Sequence, residues 1–173
     1  MLKIGVISDT HLPSRFPYLP KIILEKLEGV DLILHAGDWE ELFFLPELKK
    51  LADVIGVHGN MDSWEVKKVL PPKRVITLEK VKIGITHGSG APWGIKDRVK
   101  KVFEEDLENI NVIVFGHTHH ALMEWDDEIF FFNPGSPTDR FFTDKNTIGY
   151  LYIDGDKVWG EIIPIDLNLG GIK

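Results

Sequence analysis

Cysteine does not occur anywhere in the 173 residues. Disulfides and thiolate metal sites are therefore excluded, and any metal must rest on nitrogen and oxygen donors. Glutamine is absent too, while Glu and Lys are plentiful, a balance that leans weakly towards a thermophilic source. No apolar run approaches the ~20 residues that span a bilayer, so no membrane partner is expected. Positive charge is in deficit, since 20 Lys and Arg against 27 Asp and Glu leave a formal charge of −7. Nothing resembles a basic stripe, which argues against a nucleic-acid partner. The first residues read as a strand running straight into Asp9 and His11, which cleavage of a leader would remove. A cytoplasmic chain is expected.

Apolar residues make up 43% and charged residues 27%, ordinary values for a globular protein able to bury a core. One domain over 1–173 is expected. Alternating α and β signals open the chain: strand 2–8, helix 20–28, strand 31–35, helix about 40–51 and strand 53–58. Runs 73–78 and 81–86 read as a hairpin-like pair, and 95–107 as an amphipathic helix. Strands follow at 111–115, 120–125, 128–132, 147–153 and 157–163, the last two turning at Asp154-Gly155. A purely parallel sheet would need more helices. The fold expected is α/β, a two-sheet β-sandwich flanked by helices.

Metal-ligand residue types stand where hydrophobic runs stop. Asp9 and His11 follow the first strand, Asp38 the second, Asn60 the third, His87 the fifth run, and His117 with His119 the run NVIVFG. Residues at the ends of several strands converge on one rim of a sheet, where α/β proteins form ligand sites. Taken singly, each has a plainer reading. Asp-x-His pairs are mostly incidental, Asp38 can cap a helix starting near Trp39, and Gly-Asn is usually a turn. His-x-His is a surface pair about as often as not, and a lone His87 carries little. Their joint occurrence in this order is what counts. His35, His58 and His120 read as structural or supporting.

These motifs resemble the calcineurin-like metallophosphoesterases, in particular their small single-domain phosphodiesterase branch. The resemblance rests on Asp9-x-His11, Gly37-Asp38, Gly59-Asn60-x-Asp62, Thr86-His87-Gly88, Gly116-His117-Thr118-His119 and Asn133-Pro134-Gly135-Ser136, and spans about 2–163. It implies two divalent cations, Mn²⁺ foremost, with Ni²⁺, Fe²⁺, Co²⁺ and Zn²⁺ as alternatives. One would be held by Asp9, His11, Asp38 and His119, the other by Asp38, Asn60, His87 and His117. Asn60, Asp62 and His87 are carried over as the catalytic residues. Two departures matter. Met61 stands where many family phosphatases have His after Gly-Asn, and Ser89 where many read His-Gly-His. The general acid is therefore not evident, and Asp62 or a metal-bound water is the candidate substitute.

The expected reaction is hydrolysis of a small-molecule phosphate ester, a diester first, by a hydroxide bridging the cations. Arg140, just past the Asn-Pro-Gly-Ser motif, is a candidate phosphate donor, and 88–93 a candidate pocket loop. The rival reading is a non-catalytic metal-binding scaffold that presents apolar surface such as Phe141-Phe142 or Phe130-Phe131-Phe132. The same branch contains the retromer scaffold subunit, which works through protein contacts. A homo-oligomer, dimer or tetramer, is expected. A nuclease would need a local basic groove.

Overall fold

The computed structural model describes residues 1–167, so the last six residues of the expected single domain, 168–173, lie outside the described residues. Strands β1 (Leu2–Ile7), β2 (Leu32–His35) and β3 (Asp53–Gly56) run parallel, joined by helices α1 (Lys21–Leu27) and α2 (Leu45–Lys49). Helix α3 (Trp64–Val69) leads to the antiparallel pair β4 (Lys73–Leu78) and β5 (Val81–Thr86). Helix α4 (Ile95–Val102) then precedes β6 (Val112–Val114), β7 (Leu122–Asp126) and β8 (Ile129–Asn133). The chain closes with β9 (Thr147–Asp154) and β10 (Lys157–Pro164). Two five-stranded sheets result, in the orders β10-β9-β1-β2-β3 and β4-β5-β6-β8-β7.

Alternation along the strands assigns each face. Ile4 and Val6 of β1 and Leu34 of β2 meet Ile83, Val112, Val114, Phe130 and Phe132 between the sheets. The opposite face of the first sheet packs Ile7 and Ile33 against Ile23, Leu27, Leu48 and Val66 of the helices. On the far side of the second sheet, Ile113 and Phe131 pack against Ile95 and Val99 of α4. Three apolar interfaces therefore separate four layers, α/β/β/α, and each buried aliphatic side chain contributes about 1.5–3 kcal/mol. The run Phe130-Phe131-Phe132 is core on both faces of β8, so it offers no docking surface. Gly149 and Gly160 leave the room that the Phe132 ring fills.

Three elements differ from the sequence reading. The expected helix over 40–51 shrinks to α2, because Glu40 takes a left-handed conformation (φ 69°) and bridges Leu12. Helix α3 was not anticipated; Ser63 caps it by accepting from Val66 N at 3.4 Å, and Pro71-Pro72 stop it. Helix α4 ends at Val102, and turns with a short 3₁₀ segment at Leu107–Asn109 replace its expected tail. The last hairpin turns through Gly155-Asp156, one residue later than expected. Among the described residues no helix is long and apolar enough to cross a membrane.

Candidate metal centre

The carboxyl ends of β1, β2, β3, β5 and β6 deliver the motif residues to one rim. Asp9 follows the central strand of the first sheet and stands in the middle of the cluster. Its Oδ1 lies 3.9 Å from His11 Nε2, 3.6 Å from His87 Nε2 and 3.4 Å from His119 Nε2. Asp38 Oδ2 lies 3.5 Å from His11 Nε2 and 3.1 Å from His87 Nε2. Ligand atoms of Asp9, His11 and His119 fall within 4.8 Å of one another, as do those of Asp9, Asp38 and His87. Asp9 is common to both groups, and Asp38 Oδ2, the shared ligand that the resemblance implies, lies between His11 and His87.

Three buried atoms of this cluster, Asp9 Oδ1, His11 Nε2 and His87 Nε2, make no hydrogen bond of sound geometry. Such atoms are costly to bury, at about 1–3 kcal/mol each, unless something else satisfies them. Two carboxylates facing three imidazole nitrogens form an anionic nitrogen and oxygen donor set that fits a divalent cation.

The three imidazoles are turned alike. His87 Nδ1 faces Ala36 O at 2.8 Å, His119 Nδ1 faces Asp139 Oδ2 at 2.7 Å, and His11 Nδ1 faces Glu40 Oε2 at 3.5 Å. In the neutral ring each acceptor favours the proton on Nδ1 and turns Nε2 inward, the usual arrangement behind a metal-ligating histidine. Glu40 and Asp139 escaped the sequence reading. No spacing rule marks them, because they reach the site from loops folded back over it.

Backbone strain concentrates here as well. Among the described residues, six of the eight non-glycine positions with positive φ are Asp9, His11, Asp38, Glu40, His117 and His119. Each costs on the order of 1 kcal/mol or more, so neighbours must hold them. The Asn-Pro-Gly-Ser motif does part of this. Asn133 Nδ2 donates to Gly116 O and Thr118 Oγ1, both at 3.1 Å, and Ser136 Oγ donates to Asp9 O at 2.7 Å. Packing is tight enough to demand glycine at two points. A Cβ at Gly59 would come within 2.7 Å of His87 Cδ2, and one at Gly116 within 2.7 Å of Asp9 Oδ2.

Other expected residues are placed differently. His117 Nε2 faces Gly90 O at 2.8 Å, with its ring edge-on to His87 at 5.4 Å. Asn60 is exposed on the rim, its backbone carbonyl accepting from Lys67 Nζ at 3.4 Å. Asp62 is buried, and both its oxygens are taken by backbone N–H groups of Asp38, Gly59 and Glu40. Met61 is 59% exposed, while its N–H donates to Asp38 Oδ1 at 2.9 Å. His35 is fully buried, stacked on Trp39 at 3.7 Å, and accepts from Gly37 N while facing Thr10 Oγ1. Burial holds its pKa well below the usual value, so it stays a neutral brace for the Gly37-Asp38 turn. A pocket of about 590 Å³ opens over the cluster, lined among others by His11, Arg15, Asp38, Met61, Pro92, His119 and Phe142. Arg140 instead lies over the Phe16 ring and lines a different cavity.

Charges set the protonation states. Burial pulls the His87 imidazole down, but the carboxylates of Asp9 and Asp38 outweigh it and push the group up to about 9. His119 is also raised: burial lowers it, and Asp9 and Asp139 more than compensate. Burial lifts Asp38, yet His87 and the Met61 N–H bring it down to about 2. The His87 contribution to apoprotein stability is present in full below pH ~6.5 and is lost as pH rises through about 9. That of Asp38 is present above pH ~4 and is lost as pH falls through about 2. A cation needs the Nε2 lone pair, so metal uptake at pH 7 should release about one proton or more per protein. Mn²⁺ titrations in two buffers of different ionisation enthalpy measure this. Identical heats in both buffers would show that His87 is already deprotonated.

Residues 2–156 match the calcineurin-like phosphoesterase superfamily domain. A probable metallophosphoesterase of Methanothermobacter thermautotrophicus is 38% identical over 161 residues, covering 92% of this chain and 91% of that protein. A phosphodiesterase of Methanocaldococcus jannaschii is 30% identical over 177 residues, covering 94% of this chain and 99% of that protein. The structure of Vacuolar Protein Sorting 29 from Cryptosporidium parvum, 23% identical, superimposes with a TM-score of 0.81 over 98% of this chain and 93% of that one, a likeness of fold. With the family match spanning most of its length, the chain belongs to the calcineurin-like phosphoesterase superfamily.

Proposed function

We propose that this chain is a metal-dependent phosphodiesterase acting on a small phosphate ester through two divalent cations, Mn²⁺ foremost. The observation that carries the reading is the convergence of Asp9 Oδ1, His11 Nε2 and His87 Nε2, buried and without hydrogen bonds, on one space beneath an open pocket. Asp9, Asp38, His11, His87 and His119 form the inner set; His117 and Asn60 join from the rim, His117 by turning from Gly90 O. When bound, the cations would supply an acidified water and draw charge from the phosphoryl oxygens. The chain's part is to hold three imidazoles in one tautomer, through Ala36, Asp139 and Glu40, and to keep Asp38 anionic at neutral pH.

No histidine acid stands at Met61 or Ser89, so esters whose leaving group needs little protonation suit this pocket best. The test strips the protein with chelator, restores Mn²⁺ and follows bis-p-nitrophenyl phosphate. Turnover that disappears with chelator and returns with Mn²⁺ is expected. No turnover with Mn²⁺, Ni²⁺, Fe²⁺, Co²⁺ or Zn²⁺ would favour the scaffold reading. Self-association to a dimer or tetramer is supported by Met123 and Trp125, exposed on the edge strand β7. A monomer mass by light scattering would exclude it.

A further inference from the structure

Arg15 lies four residues beyond His11, in the loop that leaves β1. Its N–H donates to His11 O at 2.8 Å, and its side chain is turned to the lining of the pocket over the metal centre. Among the described residues lining that pocket it is the one arginine or lysine. Two contacts fix the guanidinium. Arg15 Nη2 lies 3.3 Å from Asp139 Oδ1, and the group sits 4.7 Å over the Phe141 ring.

Those contacts leave donors over. Arg15 Nε is buried without a hydrogen-bond partner, and the side chain keeps 18% of its surface open. An arginine serving only as a strut has its fork spent on protein acceptors; here one ion pair anchors it and an open pocket lies in front. Asp139 itself is fully buried and joins two tasks. One oxygen takes the Arg15 contact, while the other faces His119 Nδ1 at 2.7 Å and accepts from Phe142 N at 3.0 Å. The carboxylate that orients an imidazole of the metal centre therefore also fixes the distance from that centre to the one permanent cation of the pocket.

We infer that Arg15 is the substrate-contact residue of this site, binding an anionic phosphoryl oxygen of the ester from the side away from the metals, with Asp139 as its positioning residue. This rests on the phosphoesterase reading. A planar fork suits phosphate oxygens, and a charge-assisted bond in a partly desolvated pocket is stronger than a neutral one. Apolar surface beside it, from Met61, Pro92 and Phe142, fits the organic arm of such an ester. Arg140 has no such place, since it faces another cavity.

The experiment compares wild type, Arg15→Ala and Arg15→Lys in three measurements. These are Mn²⁺ affinity by calorimetry, inorganic phosphate affinity of the Mn²⁺-loaded protein, and KM with kcat for bis-p-nitrophenyl phosphate. Arg15→Ala should raise KM and the phosphate dissociation constant about ten- to a hundredfold, with Mn²⁺ affinity within about threefold of wild type. Arg15→Lys should fall between, keeping the charge and losing the fork. Unchanged phosphate affinity and KM would overturn the inference. So would a loss of Mn²⁺ affinity that KM merely tracks, because Arg15 would then act only through Asp139 and His119. If wild type shows no turnover, the phosphoesterase reading fails on its own, and the phosphate titration still decides the role of Arg15.

Discussion

Asp38→Asn is expected to reduce turnover of bis-p-nitrophenyl phosphate by roughly a thousandfold or more, and to weaken Mn²⁺ binding, while the fold survives. The substitution keeps the shape of the side chain and an oxygen able to accept from Met61 N, which lies 2.9 Å from Oδ1. What it removes is the charge beside His11 and His87, whose Nε2 atoms lie 3.5 and 3.1 Å from Oδ2. Lewis-acid stabilisation amounts to several kcal/mol, and about 1.4 kcal/mol is a factor of ten in rate. Losing one cation therefore has an effect of this order. A second readout comes from the apoprotein. Asp38 helps to raise His87, so in the variant the His87 pKa should fall and proton release on metal uptake at pH 7 should shrink. Calorimetry and kinetics together separate the possibilities. Wild-type Mn²⁺ affinity with turnover within tenfold of wild type would remove Asp38 from the centre.

How much of this could be read from the chain depends on the range of the interaction. Strand ends are legible, because apolar runs stop where the backbone leaves the core; Asp9, Asp38, His87 and His117 were placed on the rim by that signal. The two-sheet sandwich is legible from the order of elements, α and β alternating early and strands dominating late, too few helices for one parallel sheet. Ile4 and Val6 on one face with Ile7 on the other, and Phe130 and Phe132 on one face with Phe131 on the other, put both faces of each sheet in contact with something apolar. The helix expected over 40–51 fails at a tertiary contact. Leu42, Leu45 and Leu48 keep helical spacing, but Glu40 is drawn back by Asp62 and Ser14, whose hydroxyl donates to Glu40 Oε1 at 2.6 Å. Local propensity cannot register a partner 22 or 26 residues away. Helix α3 was missed from the opposite cause. It is six residues long, with one buried residue, Val66, so its periodicity is hardly visible, although Ser63 and the Pro71-Pro72 pair mark its two ends.

The substrate side of the site shows the limit most clearly. Arg140 is the sequence candidate because it follows a recognisable motif, whereas Arg15 stands among Pro13, Pro17 and Pro20 with no motif to mark it. The structure reverses their positions. Residue 139, adjacent to Arg140, directs its carboxylate 3.3 Å from Arg15, while Arg140 turns outward to Phe16. Which of two arginines faces a pocket is decided by loop paths, and those depend on hydrogen bonds such as Ser136 Oγ to Asp9 O, spanning 127 residues. The left-handed conformations of Asp9, His11, Asp38 and His119 belong to the same class of fact. They run against local preference and persist only because distant groups hold them.

Asp62→Ala should produce the largest stability loss of any single change around the site. The carboxylate accepts from Gly59 N at 2.6 Å, Glu40 N at 2.7 Å and Asp38 N at 3.0 Å. Removing it leaves three N–H groups without an acceptor at a place that is 6% exposed. At about 1–3 kcal/mol for each unsatisfied donor, the loss is ~3 kcal/mol at the least, a large share of an ordinary domain's stability. In a chain of this length that corresponds to a fall of roughly 10 °C in Tm. Mn²⁺ affinity should drop about ten- to a hundredfold as well, since the tie to Asp38 N holds a ligand loop in its left-handed turn. Asp62→Asn is the sharper variant. Its amide oxygen can accept, but its NH₂ faces donors, so the loss should be smaller and in the same direction. Burial pushes the Asp62 carboxyl above the usual range, which by itself would suit a proton donor, yet three N–H groups converge on its oxygens and favour the ionised form. The two roles therefore predict opposite patterns. An Asp62→Asn protein with wild-type Tm and Mn²⁺ affinity, but slowed on esters with poor leaving groups, would return the acid role to Asp62; lowered Tm and affinity with unchanged leaving-group dependence would leave it as the brace of the Asp38 turn.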